Sequence, residues 1–187
     1  MRLFVALDIP EDVQRAIREL MQKLAPTCRG ARWVRAEGMH VTLKFIGEAS
    51  GEKAAAIRTE LGGVRSRSAA ELSFRNVGFF PNARHPRVFW VGIETSPNLT
   101  EMAGEIERRL EKLGIPREDR AFKPHLTLAR FKSEEGLPKL NEAIQQLSTV
   151  EFGRMRTEEF HLYRSTLKPG GAEYAKLATF RFTEGAK

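Results

Sequence analysis

A single cysteine, Cys28, stands in 187 residues, so an internal disulfide framework and a cysteine-based zinc site are both excluded. Long apolar runs are missing too. Charges interrupt every one far short of the roughly 18 residues that a membrane-spanning helix requires. The opening, Met1-Arg2-Leu3-Phe4-Val5-Ala6-Leu7-Asp8, has only a five-residue apolar stretch, whereas a secretory core needs about 7–15 and a small-residue cleavage site. These shortages predict a soluble, unexported, cytoplasmic protein with no membrane partner. Histidine is scarce, at four. No His-Glu-x-x-His, Gly-rich phosphate loop or Gly-x-Ser-x-Gly element occurs, which removes the commonest hydrolase and nucleotide-binding signatures.

What is present suits an ordinary globular chain, with 41% hydrophobic and 29% charged residues. Its length predicts one domain, or two small lobes sharing a core. Lys and Arg total 31 against 24 Asp and Glu, a net charge of +7 that favours polyanionic partners such as nucleic acid. The bland alternative is a basic but uncommitted surface, since the positive charges are spread along the chain.

Periodicity orders the chain. Residues 2–8 alternate and read as a strand. Pro10 and Glu11 then open a helix whose Val13, Ile17, Leu20, Met21 and Leu24 recur at helical spacing, with Pro26 ending it. Residues 32–34 and 40–46 read as strands, the second left at Gly47; residues 52–61 read as a helix stopped by Gly62-Gly63. Residues 72–79 and 87–93 form a hairpin. Residues 99–113 are helical, with Met102, Ile106, Leu110 and Leu113 on one stripe and Gly114 beyond. A strand at 125–131, a short helix at 138–147 and strands at 157–165 and 174–182 follow. The last two are joined through Lys168-Pro169-Gly170-Gly171, a type II turn signal. Nearly the same series runs twice, predicting a repeat of about 85 residues with its divide at 95–98, in one domain spanning 1–187.

Two of the four histidines begin one pattern at that repeat distance: His40-Val41-Thr42-Leu43 and His125-Leu126-Thr127-Leu128, 85 residues apart. Chance yields this with a probability on the order of 10⁻⁴, uncorrected for choosing the pattern afterwards. In a strand, side chains i and i+2 share a face, so each His stands beside its Thr while the apolar neighbours anchor the other side. Two such strands related by a pseudo-twofold axis place two imidazoles and two hydroxyls around one cleft. That set suits phosphoester chemistry: one His takes a proton from the nucleophile, the other gives one to the leaving oxygen, and the hydroxyls hold phosphate oxygens. A metal site is disfavoured, because neither motif carries an Asp or Glu.

These residues resemble the 2H phosphoesterase superfamily, and within it the RNA 2′,3′-cyclic phosphodiesterases once named 2′-5′ RNA ligases. The likeness extends through Arg2-Leu3-Phe4-Val5-Ala6-Leu7, Trp33-Val34, Arg87-Val88-Phe89-Trp90-Val91-Gly92, Phe122-Lys123-Pro124, and Leu162-Tyr163-Arg164-Ser165 with Gly171 and Tyr174. It implies a bilobal α+β fold, a pseudo-twofold duplication whose antiparallel sheets line a central cleft with helices outside. It implies His40 as proton donor, His125 as proton acceptor, and Thr42 and Thr127 as phosphate ligands, with no metal or cofactor. The implied activity is hydrolysis of RNA-terminal 2′,3′-cyclic phosphate to a 2′-phosphomonoester by a monomer engaged in RNA processing. The alternatives are action on 2′-5′ linkages or other small cyclic phosphates, and a non-catalytic RNA-binding module.

Phe45 and Arg130 occupy equivalent places, each five residues after its His. One is a candidate for base stacking and the other for phosphate pairing. Strict alternation puts both on the face opposite the histidines, so they reach the site only where the strand twists, bulges or ends. Core packing for Phe45 and a rim salt bridge for Arg130 are the alternatives. His85 falls in the exposed loop between the hairpin strands. His161 points either to the cleft or to solvent.

Overall fold

A computed structural model describes residues 1–147 and 150–184. The elements follow in the order β1 (Arg2–Leu7), α1 (Glu11–Leu24), β2 (Ala31–Trp33), β3 (Val41–Glu48), α2 (Gly51–Leu61), β4 (Ala70–Phe80) and β5 (Val88–Thr95). Then come α3 (Pro97–Glu111), β6 (His125–Phe131), α4 (Leu137–Gln145), β7 (Glu151–Thr157), β8 (Glu159–Lys168) and β9 (Gly171–Arg181). Helix α1 buries the five apolar residues of its predicted stripe. Each such side chain gains about 1.5–3 kcal/mol on leaving water, well above the few tenths that helix propensity offers per residue. Ser50 caps α2 by accepting from the Lys53 amide at 3.2 Å. Gly114, at a φ of +74°, follows α3 in the left-handed conformation that lets a chain leave a helix.

All strand pairs within the two sheets are antiparallel. One sheet has the order β3-β1-β8-β9, the other β2-β6-β5-β4-β7. Helices pack outside: α1 against β7 and α4, α3 against β3, β4 and α2. In the first sheet Leu3, Val5 and Leu7 face the main core, while Phe4, Ala6 and Tyr163 form a separate small cluster on the opposite face. That opposite face is the one available to a site.

The duplication has an exchange built into it. The three strands β3-β1-β8 of one sheet correspond to β6-β5-β4 of the other. Shifting by about 85 residues carries β1 onto β5, α1 onto α3, β3 onto β6 and α2 onto α4. The third strand of each unit, β4 or β8, crosses into the other unit's sheet. On this correspondence β5 takes the place in the second series that β1 takes in the first.

Three local expectations need correcting. Strand β7 has no counterpart in the sequence reading, because Phe152 and Met155 are three apart and break the alternation. The extra residue is taken up at a register shift beside Gly153, whose φ is +131°. Gly47 does not leave β3; it pairs with Leu3 at a φ of +84°. The β8–β9 hairpin closes with Lys168 opposite Gly171 as its turn residues require. However, the positive φ lies at Gly171, +120°, not at Gly170 as a type II turn demands.

Candidate active site

Strands β3 and β6 belong to different sheets, and His40, Thr42, His125 and Thr127 line one cleft of about 1730 Å³. The two imidazoles are held alike. His40 Nδ1 lies 3.0 Å from the Gly38 carbonyl and His125 Nδ1 lies 2.9 Å from the Lys123 carbonyl, in each case two residues back. A carbonyl only accepts, so each Nδ1 carries its hydrogen and donates it. Nε2 is then left to take or give a proton. Thr42 and Thr127 are half-buried, with hydroxyls on the same strand face as their histidines.

Phe45 and Arg130 also line this cleft, against strict alternation. The register explains how. Thr42 pairs with Ala6 and Lys44 with Val5, leaving Leu43 as an extra residue; Phe45 then pairs with Phe4, back on the cleft face. In β6, Thr127 pairs with Trp90 and Ala129 with Phe89, leaving Leu128 extra; Arg130 then pairs with Val88. Leu43 and Leu128 are 85 residues apart. The same bulge thus occurs in both motifs and turns the fifth residue inward. Phe45 is 64% exposed, so core packing is not its role. Arg130 is exposed too and, among the described residues, enters no ion pair.

The surroundings of the histidines differ. The His40 ring sits 4.3 Å from Tyr163, 5.4 Å from Tyr174 and 5.9 Å from Phe4, centroid to centroid. Burial pushes its pKa down, against the opposing pull of Asp8 and the Gly38 carbonyl. Asp8, directly after β1, accepts from the Tyr163 hydroxyl and, at 2.5 Å, from Lys176 Nζ. Burial alone would raise its carboxyl, yet hydrogen bonds from Lys176 and Tyr163 hold it below the ordinary range. The same burial and the Asp8 contact push the Tyr163 hydroxyl well up.

His161 lies on the same sheet face as Tyr163 but is buried beneath Asp8, so it meets neither solvent nor the open cleft. It is 3% exposed, its Nδ1 is 3.0 Å from Thr179 Oγ1 and its Nε2 is 3.4 Å from Asp8 Oδ2. His85 is exposed, as its loop predicts, and pairs with Glu134. The sequence pattern singled out His161 but neither Asp8 nor Lys176; the one signal for Asp8 was an acid ending an otherwise apolar strand. Among the described residues no three His, Cys, Asp or Glu side chains cluster as a metal site would need.

Comparison with known proteins decides the family. The model of the LigT-like phosphoesterases matches this chain twice, over residues 7–90 and 91–174. The chain belongs to the LigT-like phosphoesterase family. A relative from Archaeoglobus fulgidus, named RNA 2′,3′-cyclic phosphodiesterase, is 36% identical over 96% of this chain and 99% of its own. One of the same name from Thermus thermophilus is 35% identical over 96% and 89%. Among solved structures, TT0787 of Thermus thermophilus superposes with a TM-score of 0.80 at 33% identity and full coverage of both chains. E. coli LigT complexed with 3′-AMP does so with a TM-score of 0.79 at 28% identity over 98% of each. The two family matches accord with the duplication seen in the sheets.

Proposed function

We propose that this protein, a single 2H phosphoesterase domain over 1–187, hydrolyses the 2′,3′-cyclic phosphate at an RNA end to a 2′-phosphomonoester without a metal ion. The observation that carries the reading is the pair of imidazoles on one cleft, each with Nδ1 pinned to a carbonyl and Nε2 left free. Water attacks phosphorus while His125 Nε2 takes its proton. The bond from phosphorus to the 3′ oxygen breaks, and His40 Nε2–H gives that oxygen a proton, leaving the phosphate on the 2′ oxygen. Thr42 and Thr127 donate to the non-bridging oxygens, which carry more charge in the transition state than in the ground state. The donor and acceptor assignment follows the family likeness. Burial disfavours the His40 imidazolium; a bound phosphate anion opposes that push and favours the charged form.

Substrate class rests on the relatives' names and on the cleft's own walls. Phe45 presents an aromatic face, while Arg130 with Arg32, Arg35 and Lys123 lines a basic path suited to a phosphodiester chain. A net charge of +7 agrees. No helix among the described residues is long and apolar enough to cross a membrane; a cytoplasmic place fits this.

An oligonucleotide ending in 2′,3′-cyclic phosphate, incubated with the protein in excess EDTA, tests the proposal. The expected product is the 2′-phosphomonoester at an undiminished rate. Loss of activity on chelation, restored by a divalent ion, would make the enzyme a metallophosphoesterase. Binding without turnover would make it an RNA-binding module.

A further inference from the structure

The two motifs are equivalent in sequence and in register, so by themselves they do not say why one histidine should give a proton and the other take one. Their second neighbours do differ. Aligning the sheets by their pairs makes Ala6, opposite Thr42, the counterpart of Trp90, opposite Thr127. It makes Tyr163 the counterpart of Phe80, since these pair with Phe4 and Val88. On the same alignment His161 corresponds to Gly78, and Asp8 to Gly92. A Cβ on Gly78 would run into the Trp90 indole, and one on Gly92 would meet it at 3.4 Å. Where the His40 side keeps a carboxylate, an imidazole and a phenol, the His125 side keeps an indole over two glycines and the Phe80 ring, 5.3 Å from His125.

We propose that Asp8, fixed by Tyr163, Lys176 and His161, is a positioning residue for His40. Its carboxylate sets how readily that imidazole carries a proton, and its absence at Gly92 leaves His125 without such control. Two identical motifs thereby become chemically unequal. The linkage is physical: Asp8 accepts from the phenol whose ring packs on His40, and Lys176 Nζ stands 5.8 Å from that ring's centre. The groups that face His40 are few. Asp8 lies at the end of β1, His161 and Tyr163 on β8, Tyr174 and Lys176 on β9, and the Gly38 carbonyl before β3. Asp8 favours the charged imidazole, while Lys176 and His161 oppose it. Burial pushes the His161 pKa down against the pull of Asp8, whose Oδ2 lies 3.4 Å from His161 Nε2.

The test follows the two imidazoles by NMR across pH in the full-length protein. Asp8→Asn should lower the His40 midpoint by about 0.5–1 pH unit and leave that of His125 in place. Lys176→Gln should move His40 in the opposite direction, which also guards against a fold-disrupting Asp8 variant, since the Lys176 side chain is partly exposed. In Asp8→Asn the same change should lower kcat on a cyclic phosphate by about three- to tenfold with KM little changed. The rate arm rests on the reading of His40 as proton donor, and a substrate with a good leaving group separates the two ideas. If the His40 midpoint moves but the rate loss is the same on both substrates, the Asp8 proposal stands and the donor role falls. An unmoved His40 in both variants, or equal movement of His40 and His125, overturns the Asp8 proposal.

Discussion

At the scale of single residues, two histidines 85 apart in one four-residue pattern were legible without coordinates, because repetition is visible in a string. Their tautomers were not, since the carbonyls that fix them belong to turns whose shape the string does not state. Pinning both Nδ1 atoms makes each Nε2 the working atom, so either can serve as acid or base. Replacing one with Ala should cost at least about 10²–10⁴-fold on a cyclic phosphate, the usual range for a lost general acid or base. A diester whose leaving group needs little protonation distinguishes them. His40→Ala should recover most of its rate on that substrate and His125→Ala should not. The reverse pattern would exchange the roles, and full activity in either variant would end the two-histidine mechanism.

At the scale of elements, alternation succeeded wherever strands were regular and failed where they bulge. It placed Thr42 and Thr127 beside their histidines, two residues on, but it put Phe45 and Arg130 on the wrong face. Each motif strand carries one unpaired leucine, Leu43 or Leu128, which shifts the two residues after it by half a pleat and brings Phe45 and Arg130 to the cleft. The same failure hid β7, where Gly153 adjoins the irregularity. Helix α1, with no such interruption, buried the stripe its spacing predicts. The bulge has a measurable consequence. Phe45 is 64% exposed, so Phe45→Ala gives up little core packing and should leave Tm nearly unchanged. Loss of a stacked base should nonetheless raise KM for an RNA end by about five- to 150-fold, corresponding to about 1–3 kcal/mol. A fall in Tm with an unaltered KM would return Phe45 to a structural role.

At the scale of the whole molecule, the period was legible and the exchange of third strands was not. Which sheet β4 and β8 join depends on pairing between distant segments, and a repeat length is silent about that. The exchange matters because it lets the first strand meet the last two. Asp8 from the end of β1 is tied to Tyr163 and His161 on β8 and to Lys176 on β9. His40 and His161 both have pKa values pushed below the ordinary imidazole value by burial, so the unfolded chain binds more protons than the folded one as pH falls below about 6.5. Their effect on stability therefore has one sign: stability is full above that value and is lost as pH drops through the lowered folded pKa values. Asp8, also lowered, adds a second loss further down, below about 3.9, where the unfolded carboxyl protonates first. Tm should therefore decline between pH 7.5 and 5, with the decline rooted in the sheet that joins β1 to β8 and β9. His161→Gln keeps a neutral polar group in place and removes one titrating site, so its Tm should start lower but fall less steeply over that interval. An equal slope in the variant would show that protonation of His161 does not drive acid unfolding.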